Sequence, residues 1–176
     1  MKAGPLRIFF FSGTSRDLAT RLLDAHQEWL TRHFVDVTFQ SEELPIPEKA
    51  YIASRMQYEA TPFLEILENL TDQSTHALGL VDLDLFVPDL NFIFGTAQFG
   101  GNAVVALPRL RQSFYGLPDD DSLFFQRTAK EVFHELGHVL GLRHCTNHCV
   151  MQFSNSLTDT DRKPHTFCQG CLSLLE

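Results

Sequence analysis

His134-Glu135-Leu136-Gly137-His138 sets two imidazoles four residues apart, with a carboxylate beside the first. Residues four apart on a helix project from one face a turn apart, so both rings can reach a single ion. Glu135 sits where it can contact a water on that ion without ligating the ion itself. Zinc lowers the pKa of such a water towards neutrality, and a carboxylate can accept its proton. The pattern extends through Gly141 to His144, as His134-x-x-x-His138-x-x-Gly141-x-x-His144. Gly141 can adopt the left-handed backbone that turns the chain sharply off the helix and returns His144 as a third ligand. Three protein ligands leave a position open for water and substrate, the mark of a catalytic rather than a structural zinc site. A bare H-E-x-x-H can arise by chance, but a glycine and a third histidine at fixed offsets make coincidence rare.

All four cysteines lie between Cys145 and Cys171, and the first 144 residues hold none. A disulfide framework is normally spread over the fold that it staples. The pairs Cys145/Cys149 and Cys168/Cys171 instead have metal-ligand spacing, and four thiolates would close a tetrahedral, structural zinc site. Free thiols or two disulfides are the competing readings. His148 and His165 are substitute ligands for which four thiolates leave no need. Such a site would order a polar tail that lacks regular periodicity, and it would fix the backbone beside His144. Met151 is either core filler or a hydrophobic floor beneath the first metal.

The motif needs a helix, and the sequence supplies one. Phe125, Ala129, Val132, Leu136 and Leu140 recur at three- and four-residue steps from a start near Asp121 or Ser122, and Gly141 ends the pattern. Upstream, Leu6 to Ser12 reads as a strand. Ser15 can cap a helix to about His33, carried by Leu18, Leu22, Ala25 and Trp29. Val35 to Phe39 alternates as a half-buried strand does. Thr61-Pro62 opens a helix through Leu70. Ala77 to Val81, Asn91 to Phe94 and Ala103 to Leu107 read as further strands, with Gly100-Gly101 turning the chain between the last two. Residues 41 to 60 fit no element. Strands alternating with helices imply a sheet at least partly parallel, whose last two strands can be antiparallel.

The 176 residues suit one domain, with 1–141 as the sheet-and-helix part and 142–176 as a small cysteine-bearing part. A net charge of −8 without any basic cluster argues against a nucleic-acid partner. No run is long and apolar enough for a membrane span, and LRIFFF is too short for a signal-peptide core. Reduced, clustered cysteines favour a cytoplasmic setting.

These residues together resemble the archaemetzincin (archaelysin) family of metzincin zinc metallopeptidases. His134 to Met151 and Ser154 to Cys171 carry the resemblance most specifically. Arg55-x-Gln57-Tyr58 and the stretch from Asp82-Leu83-Asp84 to Asn91-Phe92-Ile93-Phe94-Gly95 carry it further. It implies a mixed α+β, metzincin-like zincin fold: a twisted mixed sheet with helices, an active-site helix flooring a cleft, and an antiparallel edge strand within Asn91 to Leu107 lining it. It implies two zinc ions, a catalytic one on His134, His138 and His144 and a structural one on Cys145, Cys149, Cys168 and Cys171. Glu135 would be the general base and Met151 the methionine of the Met-turn. One departure stands out: Thr146-Asn147-His148 puts three residues between the first two cysteines, where the family usually has four. Phe153 and Ser154 follow Met151, so a tyrosine ligand is absent there. The expected activity is peptide-bond hydrolysis by a monomer acting on peptides or proteins. The alternative is a zinc-stabilised peptide-binding or regulatory protein with little turnover. Tyr115 and Arg143 are among the candidates for polarising the scissile carbonyl, and spacing selects neither.

Overall fold

The computed structural model describes residues 2–176. In chain order the elements are β1 (Leu6–Phe11), α1 (Arg16–His33), β2 (Val37–Leu44), β3 (Tyr51–Ile52), β4 (Gln57–Glu59), α2 (Thr61–Leu70), β5 (His76–Val81), β6 (Leu85–Phe86), β7 (Gly95–Ala97), β8 (Ala103–Ala106), α3 (Asp121–Val139), α4 (Leu157–Arg162) and α5 (Gln169–Leu175).

The main sheet has the order β2-β1-β5-β8-β7. Its first three pairings are parallel, and β7 alone runs antiparallel, against β8. The central strands LRIFFF, HALGLV and AVVA are near-continuous apolar runs, as strands covered on both faces must be. The alternation of β1 assigns its two faces. Leu6, Ile8 and Phe10 join α1 and α3 in one core, whereas Phe9 and Phe11 join α2 in another. The molecule is therefore layered as helices, sheet, helix, with α3 on the α1 side. A small second sheet, β3-β4-β6, borders the α2 core.

Most of the expected elements form where the sequence places them. Two do not. Asn91 to Phe94 is not a strand: Ile93 makes an isolated bridge to Leu85, Phe92 and Phe94 pack ring on ring at 5.2 Å, and the edge strand begins at Gly95. Residues 41–60 hold the end of β2, a 3-10 turn at Glu48–Ala50 and the short strands β3 and β4. Ser15 occupies the N-cap of α1 without a side-chain capping bond, while Asp120 caps α3 by accepting the Leu123 N–H at 2.9 Å. The tail also has an apolar core of its own, contrary to expectation. Phe133, Leu142, Val150, Met151 and Phe167 are buried with Cys149 and Cys171, and Trp29 stacks on Phe167 at 5.3 Å. Among the described residues no helix is long and apolar enough to cross a membrane.

Candidate metal centre and cleft

α3 carries His134, Glu135 and His138 into the interior near its C-terminal end, where all three are buried. The helix stops as its glycine requires. Gly141 has φ +90°, its N–H reaches His138 O at 2.9 Å, and Leu142 N–H reaches Gly137 O at 2.8 Å. The turn brings His144 back, and the donor nitrogens of His134, His138 and His144 lie within 4.8 Å of one another.

The hydrogen bonds of two rings decide what can sit between them. His134 Nδ1 lies 3.0 Å from Val150 O, and His138 Nδ1 lies 2.7 Å from Leu142 O. A carbonyl can only accept, so each Nδ1 carries the proton and each Nε2 presents a lone pair. Those two lone pairs face each other at 3.2 Å. They repel unless a cation stands beside both, so the donor set fits a metal. Burial, and then the nearby Lys163 charge, pulls His134 far below its usual range, to about 2. Burial lowers His138 and His144 as well. All three rings are thus held neutral, the metal-binding form.

Glu135 is 3% exposed, and its Oε2 is buried without a hydrogen-bond partner. Burial, and then Glu131 one turn earlier, pushes its carboxyl well above the usual range. Gly95 of β7 presses directly on it. A Cβ at Gly95 would stand 2.6 Å from Glu135 Oε1, 2.7 Å from Cγ and 2.9 Å from Cδ. The edge strand and the carboxylate can touch only because this residue has no side chain. A similar vacancy lies behind the helix, where a Cβ at Gly137 would stand 2.3 Å from Met151 Sδ. Met151 is fully buried beneath the histidine-bearing helix.

A cleft of about 630 Å³ opens over this group. Thr96 and Ala97 of β7 line one side, Phe99 packs at 5.5 Å on His138, and Phe153 at 5.2 Å on His144. Val87, Leu90, Phe92 and Phe94 extend the wall. A polar network behind pins that wall. Arg55 Nη2 donates to Leu90 O at 3.0 Å and Asn91 O at 2.9 Å, and Gln57 Nε2 donates to Asp84 Oδ2 and Asn91 O. Arg109 clamps Asp84 with two bonds, and Arg111 clamps Asp82 likewise. Tyr115 donates to Arg109 O and does not line the cleft, whereas Arg143 does.

The four cysteines converge separately. Their sulfurs lie within 4.8 Å of one another, with Cys145–Cys168 at 3.8 Å and Cys149–Cys171 at 3.7 Å. Four sulfurs about 2.3 Å from a tetrahedral zinc stand ~3.8 Å apart, and a disulfide would hold a pair at ~2.05 Å. The geometry fits a metal and not two disulfides. The Cys171 N–H, at the start of α5, draws the Cys168 thiol down to about 6, which favours the thiolate. The three-residue gap after Cys145 does not prevent convergence. His148 and His165 stay outside the group.

Spacing does not reveal Gly95, Phe99 or the pair Glu131–Lys163. Lys163 Nζ lies 3.0 Å from Glu131 Oε1, with the two side chains 1% and 3% exposed, and Thr160 donates to the same oxygen. The partners are 32 positions apart, so a pass along the chain carries no signal of the pair.

The sequence model of peptidase family M54 matches residues 8–176. The archaemetzincin of Methanocaldococcus jannaschii is 43% identical over 154 residues, spanning 85% of this chain and 84% of that protein. The crystal structure of the Archaeoglobus fulgidus archaemetzincin, complexed with malonate, superposes with a TM-score of 0.80 at 34% identity, covering 97% of this chain and 99% of that one. A zinc-dependent peptidase from Methanocorpusculum labreanum gives a TM-score of 0.85 at 28% identity, over 97% and 100% of the two chains.

Proposed function

This chain belongs to peptidase family M54 and is a zinc metallopeptidase, and on that premise we propose that His134, His138 and His144 hold the catalytic zinc while Glu135 is the general base. The observation that carries the reading is the pair of facing Nε2 lone pairs, 3.2 Å apart, beside an unpartnered buried carboxylate oxygen. Zinc held there supplies Lewis acidity towards a water and a peptide carbonyl, and a positive charge that offsets the burial penalty on Glu135. Glu135 takes one proton from the attacking water as its oxygen bonds to the carbonyl carbon. It passes that proton to the amine nitrogen as the C–N bond breaks. The outer edge of β7, the last strand of its sheet, accepts the substrate backbone by strand addition. That contact brings the scissile bond in beside Glu135, which abuts the same strand.

Cys145, Cys149, Cys168 and Cys171 hold a second, structural zinc, which leaves no open position for chemistry. Metal analysis of the intact chain should then find about two zinc ions per chain. Glu135→Ala should keep that zinc and lose cleavage of a peptide library. Parent-like cleavage by the variant would remove the base assignment, and a single zinc would remove one of the two ligand sets.

A further inference from the structure

Few charged groups line the cleft, and the two carboxylates among them are buried. Glu131 accepts from Lys163 and Thr160, each at 3.0 Å, and is 3% exposed. Glu135 is 3% exposed and abuts Gly95. Arg143 is the only lysine or arginine of the lining, and it is exposed. Among the described residues no hydrogen bond or ion pair engages its guanidinium. Several other arginines of the fold contrast with this. Arg55, Arg109, Arg111 and Arg127 are all bonded to carboxylates, carbonyls or a side-chain amide.

The backbone that presents Arg143 is fixed on both sides. Leu142 is buried, with its carbonyl bonded to His138 Nδ1, and His144 belongs to the histidine group. The attachment point of the side chain is therefore fixed beside the histidine group, with Ser154 and Asn155 also on the cleft lining. Most of the remaining lining, from Val87 to Phe99, is apolar.

We propose that Arg143 is a specificity-determining residue that pairs with a carboxylate of the bound peptide, supplied by an acidic side chain or by the C-terminus. The inference rests on the peptidase reading above and names the substrate class for that same site. A guanidinium takes a carboxylate through two parallel N–H donors, so it fixes position as well as charge. The chain as a whole carries −8, so its general field repels acidic peptides. Apart from the metal itself, attraction on the lining exists where the carboxylate meets Arg143, and peptides with the acid in another register are disfavoured. Exposure keeps the effect modest, roughly 3- to 5-fold in kcat/KM.

The test uses the zinc-loaded full chain and matched peptide pairs. One arm exchanges Asp or Glu for Asn or Gln at each position flanking the cleaved bond, and the other exchanges a free C-terminus for an amide. The parent should prefer the acidic member of one arm through a lower KM, and the arm that responds identifies the source of the carboxylate. Arg143→Gln should bring the two members of that pair together. Arg143→Glu should invert the preference, by about tenfold against the parent. A salt-sensitive binding difference between the members, measured by calorimetry on Glu135→Ala protein without turnover, should vanish when Arg143→Gln is added. An equal fall in kcat for both members would place Arg143 on the transition state and overturn the proposal. Identical preferences in parent and Arg143→Gln would overturn it too. If no peptide is cleaved but the calorimetric difference persists and depends on Arg143, the turnover reading fails and the pairing stands.

Discussion

Replacing Gly95 by alanine tests the closest contact in the cleft. The three nearest atoms that a new Cβ would meet all belong to Glu135, at 2.6, 2.7 and 2.9 Å. Carbon pairs are at their optimum near 3.5–4.0 Å, so one side must move by the better part of an ångström. Glu135 is 3% exposed and has little room to swing, and β7 is pinned to β8 by its ladder. If both hold their places, the strain should resemble other overpacked sites, about 1–3 kcal/mol. In a chain of this size that lowers Tm by roughly 2–10 °C. If Glu135 yields instead, the proposed general base is displaced, and misplacement by ~1 Å costs on the order of 100-fold in rate.

The assay is a double-mutant cycle. Thermal unfolding and peptide cleavage are measured for the parent, Gly95→Ala, Glu135→Ala and the double variant, with zinc content determined for each. Glu135→Ala removes every atom that the new Cβ would strike, so the Tm loss should largely disappear in that background. Zinc should be retained throughout, because no histidine is among the three contacts. Equal Tm losses in both backgrounds would mean that the strain lies elsewhere in β7. A Gly95→Ala protein with parental Tm and kcat would refute the contact altogether.

Two further perturbations follow from buried charge. In zinc-free protein, burial raises the Glu135 pKa above its ordinary 4.5, so the folded state binds that proton more tightly than the unfolded chain. The associated stability is full below pH 4.5 and is lost as pH rises through the raised value. The Tm advantage of Glu135→Gln over the parent should therefore be small in acid and grow towards neutrality; a pH-independent difference would contradict it. Lys163→Met strands the Glu131 carboxylate in the interior and should cost about 3–5 kcal/mol in urea unfolding. Adding Glu131→Gln, which keeps an acceptor for Thr160, should restore most of that. No recovery in the double variant would show that Lys163 acts through packing alone.

The histidine-bearing helix was legible because every signal agreed: apolar periodicity from Phe125 to Leu140, an aspartate at its start and a glycine after its end. The three histidines and four cysteines were legible as spacing, since helix pitch and thiolate pairs translate directly into distance. The edge strand was not. Asn91 to Phe94 reads like a strand through its short apolar run, but its phenylalanines pack on each other and line the cleft. The true strand, Gly-Thr-Ala, carries no hydrophobic run because only one of its sides is paired. The second half of β2 escaped for a related reason, because Gln40 to Glu43 is a polar edge whose pairing depends on β1 rather than on its own pattern. Gly95 and Gly137 were invisible in kind, since the need for a missing side chain shows only when its neighbour is known.

The polar tail looked as if it needed a metal in place of a core, and the structure makes that opposition too simple. Residues 144–151 serve both groups at once. His144 belongs to the histidines and Cys145 and Cys149 to the thiols, Val150 O orients His134, and Cys145 N–H donates to Met151 O at 3.0 Å. Met151 then fills the space that Gly137 leaves under the helix, inside an apolar cluster that includes Cys149 and Cys171. A ligating imidazole is oriented by whatever holds its other nitrogen. Here that partner is a carbonyl in the residue directly after Cys149. Whatever fixes the four sulfurs therefore also fixes the direction in which the His134 Nε2 lone pair points. The apolar cluster and the thiols are two fastenings on one eight-residue segment, and the geometry of the histidine group depends on both.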